Sequence, residues 1–165
     1  MANYRKAKKR SHADGTPPAG ISPFARAPVR RKIDVVGFQE VVRLAFRADE
    51  VKLGVPKTRA SELLRRVAAT STLPFGKVRA GLISDSSWKR AGEILGPQAS
   101  ETAARLAHVL GIAVRVWGNE TDATEWLNSP HPELKGATPF SLLKSESGGR
   151  AVEALLVALE FGFPA

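Results

Sequence analysis

An all-α fold carrying a disordered basic arm is predicted for this 165-residue sequence from three observations. Apolar residues from Phe38 onward recur at three- and four-residue spacing, and no stretch alternates apolar and polar residues as a half-buried strand does. Pro56, Pro74, Pro97 and Pro139 fall between the periodic runs, where helices are expected to end or restart. Charge is unevenly placed: residues 1–32 hold nine Lys/Arg and one acid, residues 33–116 thirteen and eight, and residues 117–165 three and seven. The total of +9 therefore divides into a basic arm, a mildly basic middle and an acidic end.

Composition narrows the function classes. A hydrophobic content of 43% is that of an ordinary globular chain, and the length suits one domain with a tail. The absence of cysteine excludes disulfides and thiolate metal sites and suits a reducing cytoplasm, the expected location. No apolar run approaches the ~20 residues of a membrane span, so a membrane is not an expected partner. The basic N-terminus lacks the apolar core of a secretory signal. The three histidines, His12, His108 and His131, are scattered. There is no HxxxH, no carboxylate pair framed by apolar sequence and no glycine-rich strand-to-helix loop. No enzyme is expected, and with it no catalytic residue, metal or cofactor. His108 is expected at a helix surface or half buried, and His131 solvated in its loop.

The elements follow in order. Residues 1–36 read as the arm: Lys6, Lys8, Lys9 and Arg10 cluster, prolines and glycines follow, and Arg30, Arg31 and Lys32 close it. Its apolar residues have no period that could offset the entropy of ordering. The arm either tracks phosphates or keeps the chain soluble. Residues 37–116 read as a helical region. Phe38, Val41, Val42, Ala45 and Phe46 give a first helix, broken by Gly54 and Pro56. Thr58 is the expected N-cap of a second, with Leu63, Leu64, Val67 and Ala68 on its buried face.

Residues 74–95 read as a worn helix-turn-helix. Phe75, Val78 and Ala80 lie on a first helix, Gly81 to Ile83 form the turn, and Ser84 caps a second. Trp88, Ala91, Ile94 and Leu95 are expected to face inward, leaving Ser86, Ser87, Lys89, Arg90 and Glu93 outside. A DNA-reading helix and a helix packed only for structure both fit this pattern. Ser100 to Val116 is one long helix with Leu106, Val109, Leu110, Ala113, Val114 and Trp117 on its apolar side.

Residues 117–165 form the last region. Gly118-Asn119 stop the long helix, and Thr121 or Asp122 caps a short one bearing Trp126-Leu127. Thr138-Pro139 pairs an N-cap with proline at the first helical position. Gly148-Gly149 start a final helix in which Val152, Leu155, Leu156, Leu159 and Phe163 make one stripe, with Val157 and Phe161 off it. A helix apolar around more than half its circumference must cover a second face.

The order Trp117-Gly118, Ala123-x-x-Trp126-Leu127-x-x-Pro130, Leu134-x-Gly136-x-Thr138-Pro139-x-x-Leu142-Leu143, then a valine-leucine helix ending in Gly162, resembles the toxin-binding domain of the Xre/MbcA/ParS antitoxins. Pro74 to Leu95 with the helix to Trp117 resembles that family's Xre-like helix-turn-helix, in degenerate form. Leu82 stands where the family usually has glycine, and Asp85 to Gly92 is poorer in arginine. The resemblance implies a type II antitoxin. Its partner would be a RES-domain toxin that consumes NAD or transfers ADP-ribose from it, whose NAD pocket the antitoxin's carboxyl end closes. The residues matching that end are Glu160, Phe161, Gly162, Phe163, Pro164 and Ala165. The resemblance also implies homodimers, toxin–antitoxin hetero-oligomers and repression of the operon through operator DNA. Ser86, Ser87, Lys89, Arg90, Arg30, Arg31 and Lys32 are the candidates for DNA contact. The competing function is a free-standing helix-turn-helix regulator whose carboxyl-terminal domain only dimerises.

The end of the chain suits a plug on physical grounds. Gly162 frees the backbone, Phe163 is an apolar anchor, Pro164 lowers the entropy lost on docking, and the Ala165 carboxylate is an anion for a pyrophosphate site.

Overall fold

The computed structural model describes residues 46–162. The arm at 1–36, the apolar run from Phe38 to Ala45, and Phe163, Pro164 and Ala165 lie outside the described residues. Within them the chain is helical and has no strand; an isolated bridge joins Pro56 and Ile94.

Among the described residues the first helix starts at Ala48 and stops at Gly54, where a break was expected. Arg47 has extended backbone, and its N–H donates to Glu50 Oε2 at 2.9 Å, which fixes the start of α1 (Ala48–Leu53). That hydrogen bond, reinforced by Arg59 at 3.0 Å, holds the Glu50 carboxyl below its ordinary range. α2 (Lys57–Ala68) starts one residue before the expected cap. Pro56 occupies the N-cap and the Lys57 N–H is taken by the Glu93 carbonyl at 2.8 Å, so Thr58 lies inside the first turn. Ala60, Leu63, Leu64 and Val67 are the buried face of α2.

α3 (Phe75–Leu82) runs through Gly81 and Leu82, which were expected in the turn. Leu82 and Ile83 are buried, and this apolar burial carries the helix two residues further than the glycine suggested. Ser84 caps α4 (Asp85–Arg90) as expected, its hydroxyl accepting from the Ser87 N–H at 3.2 Å. α4 stops after six residues. Beyond it Ile94 is 53% exposed rather than inward-facing, because its backbone pairs with Pro56; Leu95 is buried.

The centre of the fold is α5 (Pro97–Trp117), 21 residues that pack on α1 and on two later helices. It begins earlier than Ser100 because Gly96 serves as N-cap and Pro97 fills the first position. Ser100 is then free for another task. Buried in the helix, its hydroxyl accepts from the Val55 N–H at 2.9 Å and donates to the Leu95 carbonyl at 3.1 Å. It thereby satisfies two backbone groups of the loops that meet there. Leu106, Val109, Leu110, Ala113 and Val114 are fully buried, each Leu and Val side chain contributing about 1.5–3 kcal/mol.

α6 (Glu120–Asn128) is capped by Asn119 rather than by Thr121 or Asp122, through a 2.8 Å bond from the Asp122 N–H. It bridges α2 and α5. The Asn128 amide reaches the Val67 carbonyl at 2.9 Å, and Arg66 pairs with Glu120 at 2.9 Å. A 3₁₀ turn (Pro132–Leu134) and α7 (Pro139–Leu142) follow, the latter capped by Thr138 as expected. His131, expected in solvent, is 4% exposed. Its ring stacks on Trp126, and its own N–H and carbonyl close the loop onto Ala137 and Gly136. α8 (Glu146–Phe161) is the last helix; Gly148 and Gly149 lie inside its first turns rather than ahead of it.

Candidate functional site

The carboxyl end is built from α5, α7 and α8. Ser145 caps α8 by accepting from the Gly148 N–H at 3.1 Å. A side chain at Gly148 would run into the Leu142 carbonyl oxygen, so glycine there lets the end of α7 abut the start of α8. Gly149 is buried against the methylenes of Arg105, whose guanidinium donates to the Leu143 carbonyl at 2.8 Å. Val152, Leu155 and Leu156 then bury one face of α8, with Leu159 packed beside them.

Two side-chain pairs align α8 with α5. His108 Nε2 lies 3.8 Å from Glu153. Seven residues further along both helices, Arg115 donates from Nε and Nη2 to both carboxylate oxygens of Glu160 at 2.9 and 2.8 Å. Both pairs are 45 residues apart in sequence, which shows that the two helices run side by side in the same direction. His108 is exposed, as expected of a surface histidine.

The opposite face of α8 turns to solvent. Ala151, Ala154, Val157 and Phe161 are exposed at helical spacing, Val157 to 43% and Phe161 to 66%. Gly162 closes the helix in the left-handed conformation at φ 70°, where other residues are strained, and its N–H donates to the Ala158 carbonyl. Of the expected plug residues, Glu160, Phe161 and Gly162 thus form the end of α8, and Phe163, Pro164 and Ala165 lie outside the described residues. Sequence reading missed Ala151 and Ala154 on the exposed stripe. Their three- and four-residue spacing to Val157 and Phe161 was the available signal. It also missed Arg115, which no local pattern connects to Glu160.

Of the candidates for DNA contact, Ser86, Lys89 and Arg90 are exposed on α4, whereas Ser87 is half buried. The Ser87 hydroxyl accepts from Ser84 at 2.9 Å, and Arg90 Nε donates to the Ser86 carbonyl at 3.3 Å. Arg79, on α3, pairs with Asp85 and lies over the Trp88 ring at 5.3 Å. Its hydrogen bond holds the Asp85 carboxyl below the ordinary range. Arg30, Arg31 and Lys32 lie outside the described residues. Among the described residues no three His, Asp or Glu gather as a metal site, and no helix is long and apolar enough to cross a membrane.

The geometry is that of a helical platform with a solvent-facing apolar stripe on its final helix. Residues 113–162, which hold that helix, match the family model of the antitoxin Xre/MbcA/ParS C-terminal toxin-binding domain. The chain is also similar to the Antitoxin Xre of Pseudomonas putida strain KT2440, with 31% identity over 64 residues, 39% of this chain and 40% of that one. The match therefore spans about two-fifths of the relative's length.

Proposed function

We propose that the chain is the antitoxin of a type II toxin–antitoxin system, and that its carboxyl end binds and inhibits a RES-domain toxin that consumes NAD or transfers ADP-ribose. The observation that carries this reading is the coincidence of the toxin-binding domain match with the helix bearing the exposed apolar stripe. An apolar stripe ended by an aromatic residue is the surface type that anchors protein interfaces. On this reading Glu160 to Ala165 block the toxin's active site, while residues 37–116 support the domain and assemble the homodimer and the toxin–antitoxin complex. The acidic character of residues 117–165 suits a protein partner better than nucleic acid.

The test is co-purification with the product of a neighbouring RES-type gene, with NAD loss as the readout. Full-length chain should suppress NAD loss at stoichiometric ratio, and a chain lacking Phe163 to Ala165 with Phe161→Ala should release it. Persistent inhibition by the truncated variant would remove the tail from the mechanism.

Operator binding is the second part of the proposal, supported by the exposure of Ser86, Lys89 and Arg90 on a capped helix. The six-residue length of α4 and the local engagement of Ser87 limit how much of a groove it could read. The antitoxin reading is therefore preferred over a free-standing regulator.

A further inference from the structure

We infer that Arg115 is a positioning residue for the proposed inhibitory end of α8, acting through Glu160 as a latch that fixes the last turn of that helix. The inference rests on the proposed role of that segment. Three observations carry it. Arg115 engages both oxygens of Glu160 at 2.9 and 2.8 Å, and a bidentate guanidinium–carboxylate pair fixes orientation as well as distance. The pair joins the last turn of α8 to the last turn of α5, whose Val114, Val116 and Trp117 are buried and so make a fixed anchor. The buried contacts of α8 thin out toward its end: Val152, Leu155 and Leu156 are buried, Leu159 only partly, and Phe161 is exposed. Packing therefore holds the middle of the helix, and the Arg115–Glu160 pair supplements it in the final turn.

The geometry divides the labour between neighbouring residues. The Glu160 carboxylate is turned toward Arg115 of α5 and so holds the last turn of the helix. Val157 and Phe161 lie on the exposed face of the same helix. The Arg115 and Glu160 side chains are 46% and 27% exposed. A pair so placed contributes little to global stability, which lets positioning be separated from folding.

The experiment compares full-length wild type with Arg115→Gln, Glu160→Gln and the double reversal Arg115→Glu with Glu160→Arg. Thermal midpoints check folding. Amide hydrogen exchange at Leu159 to Gly162 reads the latch without any toxin. Each single variant should speed that exchange by about two- to fivefold, and the reversal should restore protection. Against a RES-type toxin, with NAD loss as readout, each single variant should need about five- to tenfold more antitoxin for half inhibition, and the reversal should recover most of the loss. Unchanged exchange in both singles, or no recovery in the reversal, overturns the latch. Changed exchange with unaltered inhibition overturns its positioning role. A chain lacking Phe163 to Ala165 serves as the control. If it inhibits normally, the reading of the tail fails while the exchange data still judge the latch. If it releases the toxin and the Arg115 and Glu160 variants inhibit as wild type, the latch alone fails.

Discussion

The imidazole of His131 lies against the indole of Trp126, ring centroids 5.0 Å apart and tilted by 33°. Its Nε2 is 3.0 Å from the Trp126 carbonyl oxygen. A carbonyl can only accept, so Nε2 carries the proton and the neutral ring is the Nε2–H form. One residue thus packs the largest fully buried side chain and ties the loop after α6 back to that helix. His131→Ala should cost about 2–3 kcal/mol, from the lost ring contact and hydrogen bond. Denaturant titration with unchanged slope is the measurement, and an unshifted midpoint would return His131 to the solvated state its sequence context suggests.

Gly148 and Gly149 are adjacent but should respond differently to alanine. In an exposed helix the change from glycine usually stabilises by about 1 kcal/mol. At Gly148 the new methyl would meet the Leu142 carbonyl, a backbone atom that cannot move without parting α7 from α8. Gly148→Ala should therefore destabilise by about 1–3 kcal/mol. At Gly149 the obstacle is the flexible chain of Arg105, so the cost should be smaller. The reverse order in thermal melts would show that the α7–α8 junction is not tight.

Asn128 joins α6 to the end of α2, with its amide nitrogen 2.9 Å from the Val67 carbonyl and 3.1 Å from Thr70 Oγ1. Asn128→Ala should cost about 1–2 kcal/mol. Asn128→Asp should cost more, because it sets a carboxylate against a carbonyl. Equal stability of the two variants would mean that the amide donates nothing of consequence.

Val157→Lys tests the exposed stripe apart from the fold. Val157 is 43% exposed, so the folding free energy should change by no more than about 0.5 kcal/mol. Binding to a RES-type toxin should weaken by tenfold or more, as when a charge is set into an apolar contact. Undiminished binding, measured by titration calorimetry, would place the interface elsewhere.

For the operator proposal, Lys89→Gln with Arg90→Gln should lower the slope of log affinity against log salt by about two. Loss of that slope on deleting residues 1–36 instead would assign DNA contact to the arm.

Local chemistry made much of the fold legible. Ser84 and Thr138 were recognisable as caps because a small hydroxyl before an apolar run satisfies a free N–H. Asn119 was overlooked for Thr121 and Asp122, all three being competent caps within one short stretch, and tertiary packing decided where α6 begins. Ser100 was misread as a helix start because its partners, Val55 and Leu95, arrive from other loops. His131 was misread because a proline-flanked loop gives no sign that Trp126 lies beneath it.

By itself the sequence determined the helical class, the apolar stripe through Val152, Leu155 and Leu156 and the two-sided character of the last helix, since these are set by periodicity and spacing along one chain. Only the tertiary structure decided that α5 and α8 run side by side in the same direction, that Arg115 meets Glu160 across 45 residues, and that Val157 and Phe161 are left facing outward. The physical reason is that contacts between helices depend on how several amphipathic faces share one core. No window of sequence contains that information.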